Sequence, residues 1–186
     1  MKIVFLVSGK RCSGKDTFCN ILQYKLQQKE ISVEKFAAAD ECKRMFAERN
    51  NLDYERLRVD REYKEQHRAG LTEFFWTNDL IIFEDLVADS INKSTASVCI
   101  VTDFRFFSQL ERITAFANSI AVITIRIDCN DENRTRRGWN FDEHKDRDVT
   151  ETALDDFEFF HAKMDNNGTL SDLEKQVDKL INDFNL

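Results

Sequence analysis

The chain has 186 residues, 42% of them hydrophobic, which is enough for one compact domain over residues 1–186 and too few for two. Its formal charge of −7 disfavours a general nucleic-acid-binding protein, because affinity for a phosphate backbone requires a basic surface. The five cysteines are scattered without a CxxC pair, which disfavours disulfides or a zinc site and favours the reducing cytosol. No apolar run approaches the roughly 18 residues of a membrane-spanning helix, so we expect no membrane association.

Hydrophobic periodicity predicts strands that alternate with helices along the chain. In chain order we expect a strand at 3–8, a helix at 17–28, a strand at 32–36, helices at 40–49, 53–66 and 74–91, a strand at 98–102, a helix at 107–117, a strand at 120–125, a polar aperiodic stretch at 130–149, a brief apolar segment at 159–164 and a helix at 171–184. Continuous apolar strands between helices are typical of a parallel sheet that is covered on both faces. The predicted fold is therefore a three-layer α/β/α fold with a central parallel sheet.

The segment between the first predicted strand and helix is a phosphate-binding loop. It reads GKRCSGKDT and matches GxxxxGK[ST] up to its last position. Glycines let the backbone curl so that successive N–H groups face one anion, and the start of the following helix adds its positive dipole end. We expect Lys15 to reach the β- and γ-phosphates of ATP as a catalytic residue. The loop residues predicted to bind ATP are Gly9, Lys10, Arg11, Cys12, Ser13, Gly14, Lys15, Asp16 and Thr17.

Two aspartates are candidate magnesium ligands. Asp16 stands where the loop motif has a hydroxyl residue that normally contacts magnesium, and a carboxylate is a hard oxygen ligand suited to the same ion. Thr17 is the alternative at this position. Asp103 follows the strand at 98–102, where a parallel sheet exposes its ligand crevice. It could order magnesium-bound water, orient Arg105 or simply cap a helix.

Three arginines, Arg134, Arg136 and Arg137, lie in the polar stretch just before Gly138. Phosphoryl transfer develops negative charge between two bound phosphates, and guanidinium groups on a closing lid stabilise this charge and exclude water. We therefore interpret residues 130–150 as an arginine-bearing lid, with Arg134 and Arg137 as catalytic residues. An exposed, solvated helix face is the alternative interpretation.

A regulatory GTPase is the main competing class of P-loop protein. It should carry a DxxG switch after a strand and an NKxD motif that reads guanine. Asp103 is instead followed by Phe-Arg-Phe, and the sequence NKST at 92–95 lacks the aspartate and precedes its strand. The sequence therefore favours a kinase.

Motifs spread over most of the chain resemble those of the animal-type phosphomevalonate kinases. They are GKRxSGKD at 9–16, LDxxRL with YKExxR at 52–57 and 63–68, SDxR seen here as TDFR at 102–105, RGWxF at 137–141 with an acidic stretch and LDxF at 154–157, and ENxG seen here as DNNG at 165–168.

This resemblance implies an NMP-kinase-like fold and transfer of the γ-phosphoryl group of ATP to 5-phosphomevalonate, in the mevalonate pathway of isoprenoid and sterol (cholesterol) synthesis. Residues 40–92 are then the helical region that binds this small-molecule acceptor. By motif position, the resemblance adds Arg137 and Asn167 to the ATP site and assigns to the acceptor Lys43, Lys64, Arg68, Arg105 and Asn166. Deoxynucleoside monophosphate kinases share a similar loop and are the alternative. We expect a cytosolic monomer.

The chemistry of such an acceptor agrees with the basic residues. The second pKa of a phosphate monoester is about 6, so the acceptor is mostly dianionic at neutral pH and needs no general base. The requirement is to offset the repulsion between two polyanions, which Lys15, Mg²⁺ and several arginines can do.

Overall fold

The computed structural model describes residues 2–78, 80–116 and 120–186. Within these ranges, five parallel strands form one sheet in the order β2-β3-β1-β4-β5. The strands are β1 Lys2–Ser8, β2 Val33–Phe36, β3 Val98–Val101, β4 Ile120–Asp128 and β5 Ala162–Asp165. The helices are α1 Lys15–Gln28, α2 Ala38–Asn50, α3 Tyr54–Val59, α4 Arg61–Gln66, α5 Arg68–Thr77, α6 Leu80–Lys93, α7 Phe107–Phe116, α8 Asp131–Arg136, α9 Glu143–Asp146, α10 Val149–Thr152 and α11 Leu170–Asp183.

Alternate side chains of β1 enter two hydrophobic cores, one on each face of the sheet. Phe5 packs in the core that α1 and α11 cover, together with Leu22 and Val177. Leu6 packs in the opposite core with Phe83 of α6. Because successive strand residues point to opposite faces, a strand buried on both sides must be apolar at every position. The predicted three-layer α/β/α fold is confirmed.

Two predicted helices are each divided in the structure. The helix expected at 53–66 is α3 followed by α4, because the backbone at Asp60 is extended and its side chain accepts from the Tyr63 N–H at 3.0 Å. The helix expected at 74–91 is α5 followed by α6. Asn78 ends α5, and its side chain donates to the Phe74 carbonyl at 2.6 Å.

The remaining predicted segments differ less from the helices and strands of the structure. The polar stretch at 130–149 contains α8 and α9 and reaches the start of α10, which are too short to show a helical period. The predicted end of a helix at residue 117 lies outside the described residues. None of the helices in the described ranges combines the length and the apolar character that a bilayer crossing requires.

Hydrogen bonds connect two pairs of neighbouring strands, β1 with β3 and β4 with β5, where the chain leaves their carboxyl ends. The Phe104 N–H after β3 donates to the Val7 carbonyl of β1 at 3.0 Å. The Asn166 N–H after β5 donates to the Asp128 carbonyl at the end of β4 at 2.8 Å. These bonds hold the segments that carry the predicted site residues at one edge of the sheet, where open α/β sheets bind ligands.

Candidate active site

The loop between β1 and α1 is sharply curved. Gly9, Cys12 and Gly14 have φ angles of 152°, 58° and 95°, so three of its residues have positive φ. A Cβ atom at Gly9 would lie 2.6 Å from the Ile127 carbonyl oxygen, and one at Gly14 would lie 2.1 Å from Nδ2 of Asn166. Both glycines are therefore required by the space around them as well as by the backbone.

Lys15 and Ser13 have the features of phosphate-binding groups. The Lys15 ammonium donates to the carbonyls of Gly9 at 2.7 Å and Lys10 at 3.0 Å. Burial, and next the charge of Arg105, lower the pKa of Lys15 to about 8. Among the described residues, the buried Oγ of Ser13 has no hydrogen-bond partner. A half-buried ammonium that donates to carbonyls and an unpartnered hydroxyl both fit the phosphate tail of a nucleotide.

A cavity of about 250 Å³ lies beside this loop and is lined by Gly14, Thr17, Arg137, Asn166, Gly168, Leu170 and Leu173. Arg137 donates to the Ser13 carbonyl at 3.2 Å and to the Asn166 carbonyl at 2.8 Å. The Asn166 side chain donates to the same Ser13 carbonyl at 2.7 Å. Leucine side chains and a guanidinium next to the loop could hold the base of a nucleotide whose phosphates bind the loop.

The structure groups Asn166 with the residues predicted to bind ATP, and not with those predicted to bind the acceptor. Asn167 lies nearby, and its Oδ1 accepts from the Asn130 N–H at 2.8 Å. The reason is the strand order: Asn166 follows β5 at one edge of the sheet, whereas α2, which carries Lys43, follows β2 at the opposite edge.

Arg134, which the sequence predicts as a catalytic lid residue, is only 7% exposed. Its Nε donates to the Arg11 carbonyl at 2.9 Å, and its Nη1 pairs with Asp131 at 2.8 Å. Its guanidinium also stacks over the ring of Trp139 at 3.9 Å from the centroid. Arg134 is therefore a buried link between α8 and the loop that follows β1.

Three acidic residues that were not predicted as site residues contact the loop, and two of them pair with its cations. Asp146 pairs with the Arg11 guanidinium at 2.9 Å, and Asp155 pairs with the Lys10 ammonium at 2.5 Å. Glu151 accepts from the Arg11 N–H at 2.8 Å and pairs with Arg105. The available signal was the acidic stretch after RGWxF, since the partners on the loop lie 135 or more residues away and Arg105 lies 46 residues from Glu151.

The two predicted magnesium ligands have different surroundings. Both carboxylate oxygens of Asp103 accept main-chain N–H groups at the start of α2, from Ala38 at 3.0 Å and Ala39 at 2.8 Å. Burial raises the pKa of Asp103 to about 6. Asp16 instead lines a cleft of about 730 Å³ between α1, β2 and α3. No group of three or more His, Cys, Asp or Glu side chains in the described ranges could hold a metal by itself.

The predicted acceptor residues lie on separate elements. Arg105 is close enough to Lys15 to lower its pKa, although less than burial does. Lys43 pairs with Asp40 on α2 at 2.6 Å. Arg68 pairs with Glu65, and this hydrogen bond lowers the pKa of Glu65 to about 2, with smaller contributions from Lys145 and Lys64. The charge of Lys145 on α9 therefore acts on Glu65 of α4.

Comparison of the sequence with known proteins finds a family profile and a curated relative that carry the same name. The sequence profile described as phosphomevalonate kinase matches residues 7–119. The chain is 28% identical to a phosphomevalonate kinase from Drosophila melanogaster over 162 residues, which cover 84% of this chain and 82% of that protein.

Solved kinases share the fold at low sequence identity. A shikimate kinase from Acinetobacter baumannii in complex with shikimate has a TM-score of 0.55 and 13% identity, covering 100% of this chain and 96% of that one. An APS kinase from Mycobacterium tuberculosis in complex with AMPPNP and APS has a TM-score of 0.53 and 11% identity, covering 100% and 98%. At these identities the similarity shows the fold alone.

Proposed function

The chain belongs to the phosphomevalonate kinase family, and from this we propose that it transfers the γ-phosphoryl group of ATP to 5-phosphomevalonate, giving 5-diphosphomevalonate. The observation that carries the proposal is the position of two cations. Half-buried Lys15 lies at the end of the loop that would bind the donor, and Arg105, which the family motif assigns to the acceptor, is held against the same loop by Glu151, which accepts from both Arg105 and the Arg11 N–H. A transferred phosphoryl group would pass between them.

The nucleotide is proposed to bind along the curved loop, with its base in the cavity beside Arg137. The main-chain N–H groups of the loop, the Ser13 hydroxyl and the Lys15 ammonium would contact its phosphates. Arg137 and Asn166 act on the same loop through the Ser13 carbonyl, so they hold the loop in its curved form. Arg134 supports it from the other side through the Arg11 carbonyl.

Asp16 is the proposed magnesium ligand. A single carboxylate is typical for this ion, which takes its other ligands from phosphates and water. When bound, Mg²⁺ would offset the charge of the phosphate oxygens. Asp103 supports α2 through its two main-chain N–H contacts, and we propose a positioning role for it.

The reaction itself demands little proton chemistry from the protein. The acceptor phosphate is already the nucleophile, because its second pKa is about 6. Lys15, Arg105 and Arg137 would lower the barrier by offsetting repulsion between the two polyanions and by fixing their orientation. We propose that Lys43, Lys64 and Arg68 bind the remainder of the acceptor.

The proposal also gives roles to two longer segments of the chain. Residues 40–92 would form the acceptor region and residues 130–150 the lid, within one domain. The contribution of Lys145 to the pKa of Glu65 supports an approach of these two segments to each other. A cytosolic monomer remains the prediction from the sequence.

The test is an ADP-release assay with ATP, Mg²⁺ and one acceptor at a time, comparing 5-phosphomevalonate with dTMP, dGMP and dCMP. We expect turnover with 5-phosphomevalonate and background rates with the nucleotides. Turnover with a nucleotide alone would overturn the acceptor assignment and leave a deoxynucleoside monophosphate kinase. Lys15→Ala should lose at least about 100-fold in kcat, the effect of removing one preorganised charge stabiliser.

A further inference from the structure

Glu151 is a buried carboxylate at the point where the nucleotide loop and Arg105 meet. It lies on α10 and is 8% exposed. Its Oε2 accepts from the Arg11 N–H at 2.8 Å, and its Oε1 accepts from Nη1 of Arg105. One carboxylate therefore links the donor side of the site to the proposed acceptor side.

The donors around Glu151 are of the kind that bind phosphate. A main-chain N–H of a curved, glycine-containing loop and a guanidinium group both recognise phosphate oxygens. The charge of Glu151 also acts on the Lys15 pKa, raising it against the larger effects of burial and Arg105. The Glu151 carboxylate thus lies among the cations proposed to contact the transferred group.

The fold of α10 does not depend on this carboxylate alone. Asp148 caps α10 by accepting from the Thr150 N–H at 2.9 Å. Lys10 donates to the main-chain carbonyl of Glu151 at 2.8 Å, and Arg105 donates to that of Thr150 at 2.9 Å. These contacts use main-chain atoms or Asp148, so α10 can stay folded when the Glu151 side chain turns away, although it then loses two of its links to the loop and Arg105 and is held less firmly.

We propose that the Arg11 amide and Arg105 form an anion subsite for one of the two phosphates that meet in the reaction, and that Glu151 is its resident ligand in the free protein. A bound phosphate displaces the Glu151 carboxylate, because two anions on the same donors would repel each other. The identity of the phosphate rests on the proposed function. The exchange itself requires only that a polyphosphate binds the loop.

Calorimetric titration with magnesium pyrophosphate tests this exchange without any turnover. Glu151→Gln removes the competing charge at nearly constant size, so we expect its affinity for pyrophosphate to rise by about tenfold. Glu143→Gln is the matched control, since Glu143 lies on the neighbouring α9 in an exposed pair with Arg147. The control should bind like the wild type. Equal or weaker binding by Glu151→Gln would overturn the proposal.

A measurement on the wild-type protein keeps the proposal testable if Glu151→Gln does not fold. Displacement of Glu151 should speed amide hydrogen exchange in peptides that cover 149–156 when magnesium pyrophosphate is added, while the loop at 9–17 becomes more protected. Slower or unchanged exchange at 149–156, with the loop protected, would contradict displacement. Neither experiment contains an acceptor, so a failure of the phosphomevalonate assay would leave both results interpretable.

Discussion

Lys15, the proposed catalytic cation, lies in a position that disfavours its positive charge. Burial and then Arg105 lower its pKa to about 8, and its ammonium is held by two main-chain carbonyls. The sequence predicts where this residue lies, because the loop motif places it between a strand and a helix, and the structure has it at the start of α1. The sequence could not predict its environment, because Arg105 is 90 positions away along the chain.

The lowered pKa predicts how nucleotide affinity depends on pH. The free protein loses the Lys15 proton as the pH rises through about 8, whereas bound phosphates favour the charged form. The Kd for MgADP should therefore rise by about tenfold or more between pH 7.5 and pH 9.5. Calorimetry across this range measures the effect. Lys15→Arg, which stays charged, should show a flat profile; a flat profile in the wild type would refute the assignment.

The sequence identified Asp16 and Asp103 as acidic residues at the site edge of the sheet, but it could not predict what surrounds each carboxylate. Both were candidate magnesium ligands, yet both oxygens of Asp103 accept main-chain N–H groups of α2. No local pattern in the sequence reveals that contact, because 64 or more residues separate the partners.

These surroundings predict different magnesium dependence for two variants. Asp16→Ala should raise the Mg²⁺ concentration for half-maximal turnover by about tenfold, the scale of losing one ligand contact worth about 1.4 kcal/mol. Asp103→Asn should leave this concentration unchanged even if kcat falls. A shift in Asp103→Asn, with none in Asp16→Ala, would reverse the proposed assignment.

At the scale of elements, long apolar strands were predictable and divided helices were not. The strands at 3–8 and 98–102 are close to β1 and β3 because continuous apolar runs have few other stable placements. The break between α3 and α4 lies at Asp60, which caps α4 through the Tyr63 N–H, but an aspartate within a charged segment does not by itself mark the end of a helix. Short α8, α9 and α10 have no period to detect, and most of their stability comes from packing and capping.

The link between α8 and the nucleotide loop predicts a difference between two arginines. Arg134→Met removes a buried guanidinium with three partners and should lower the free energy of unfolding by about 2–4 kcal/mol. Arg136→Met, two residues away on the same helix, removes only an exposed pair with Glu132 and should change it by less than about 0.5 kcal/mol. Urea unfolding followed by circular dichroism compares them. Equal effects would show that Arg134 does not anchor the loop.

At the scale of the whole molecule, strand order decided which predicted residues come together. The sequence indicated a parallel sheet, but the order β2-β3-β1-β4-β5 follows from crossover connections that periodicity does not encode. This order places Asn166 beside Gly14 and Arg137, and separates it from Lys43. It also brings Glu151 to Arg105 and the loop, where the mixed charges of the site offset each other.

Phosphorus NMR of a reaction that contains ATP, Mg²⁺ and 5-phosphomevalonate follows the donor and the acceptor of the transferred phosphoryl group together. We expect the phosphate monoester signal to disappear while two coupled diphosphate signals of a new product grow in step with ADP. Lys15→Ala under the same conditions should leave the monoester signal nearly unchanged. Conversion of ATP to ADP and inorganic phosphate, with the monoester intact in the wild-type reaction, would contradict the account.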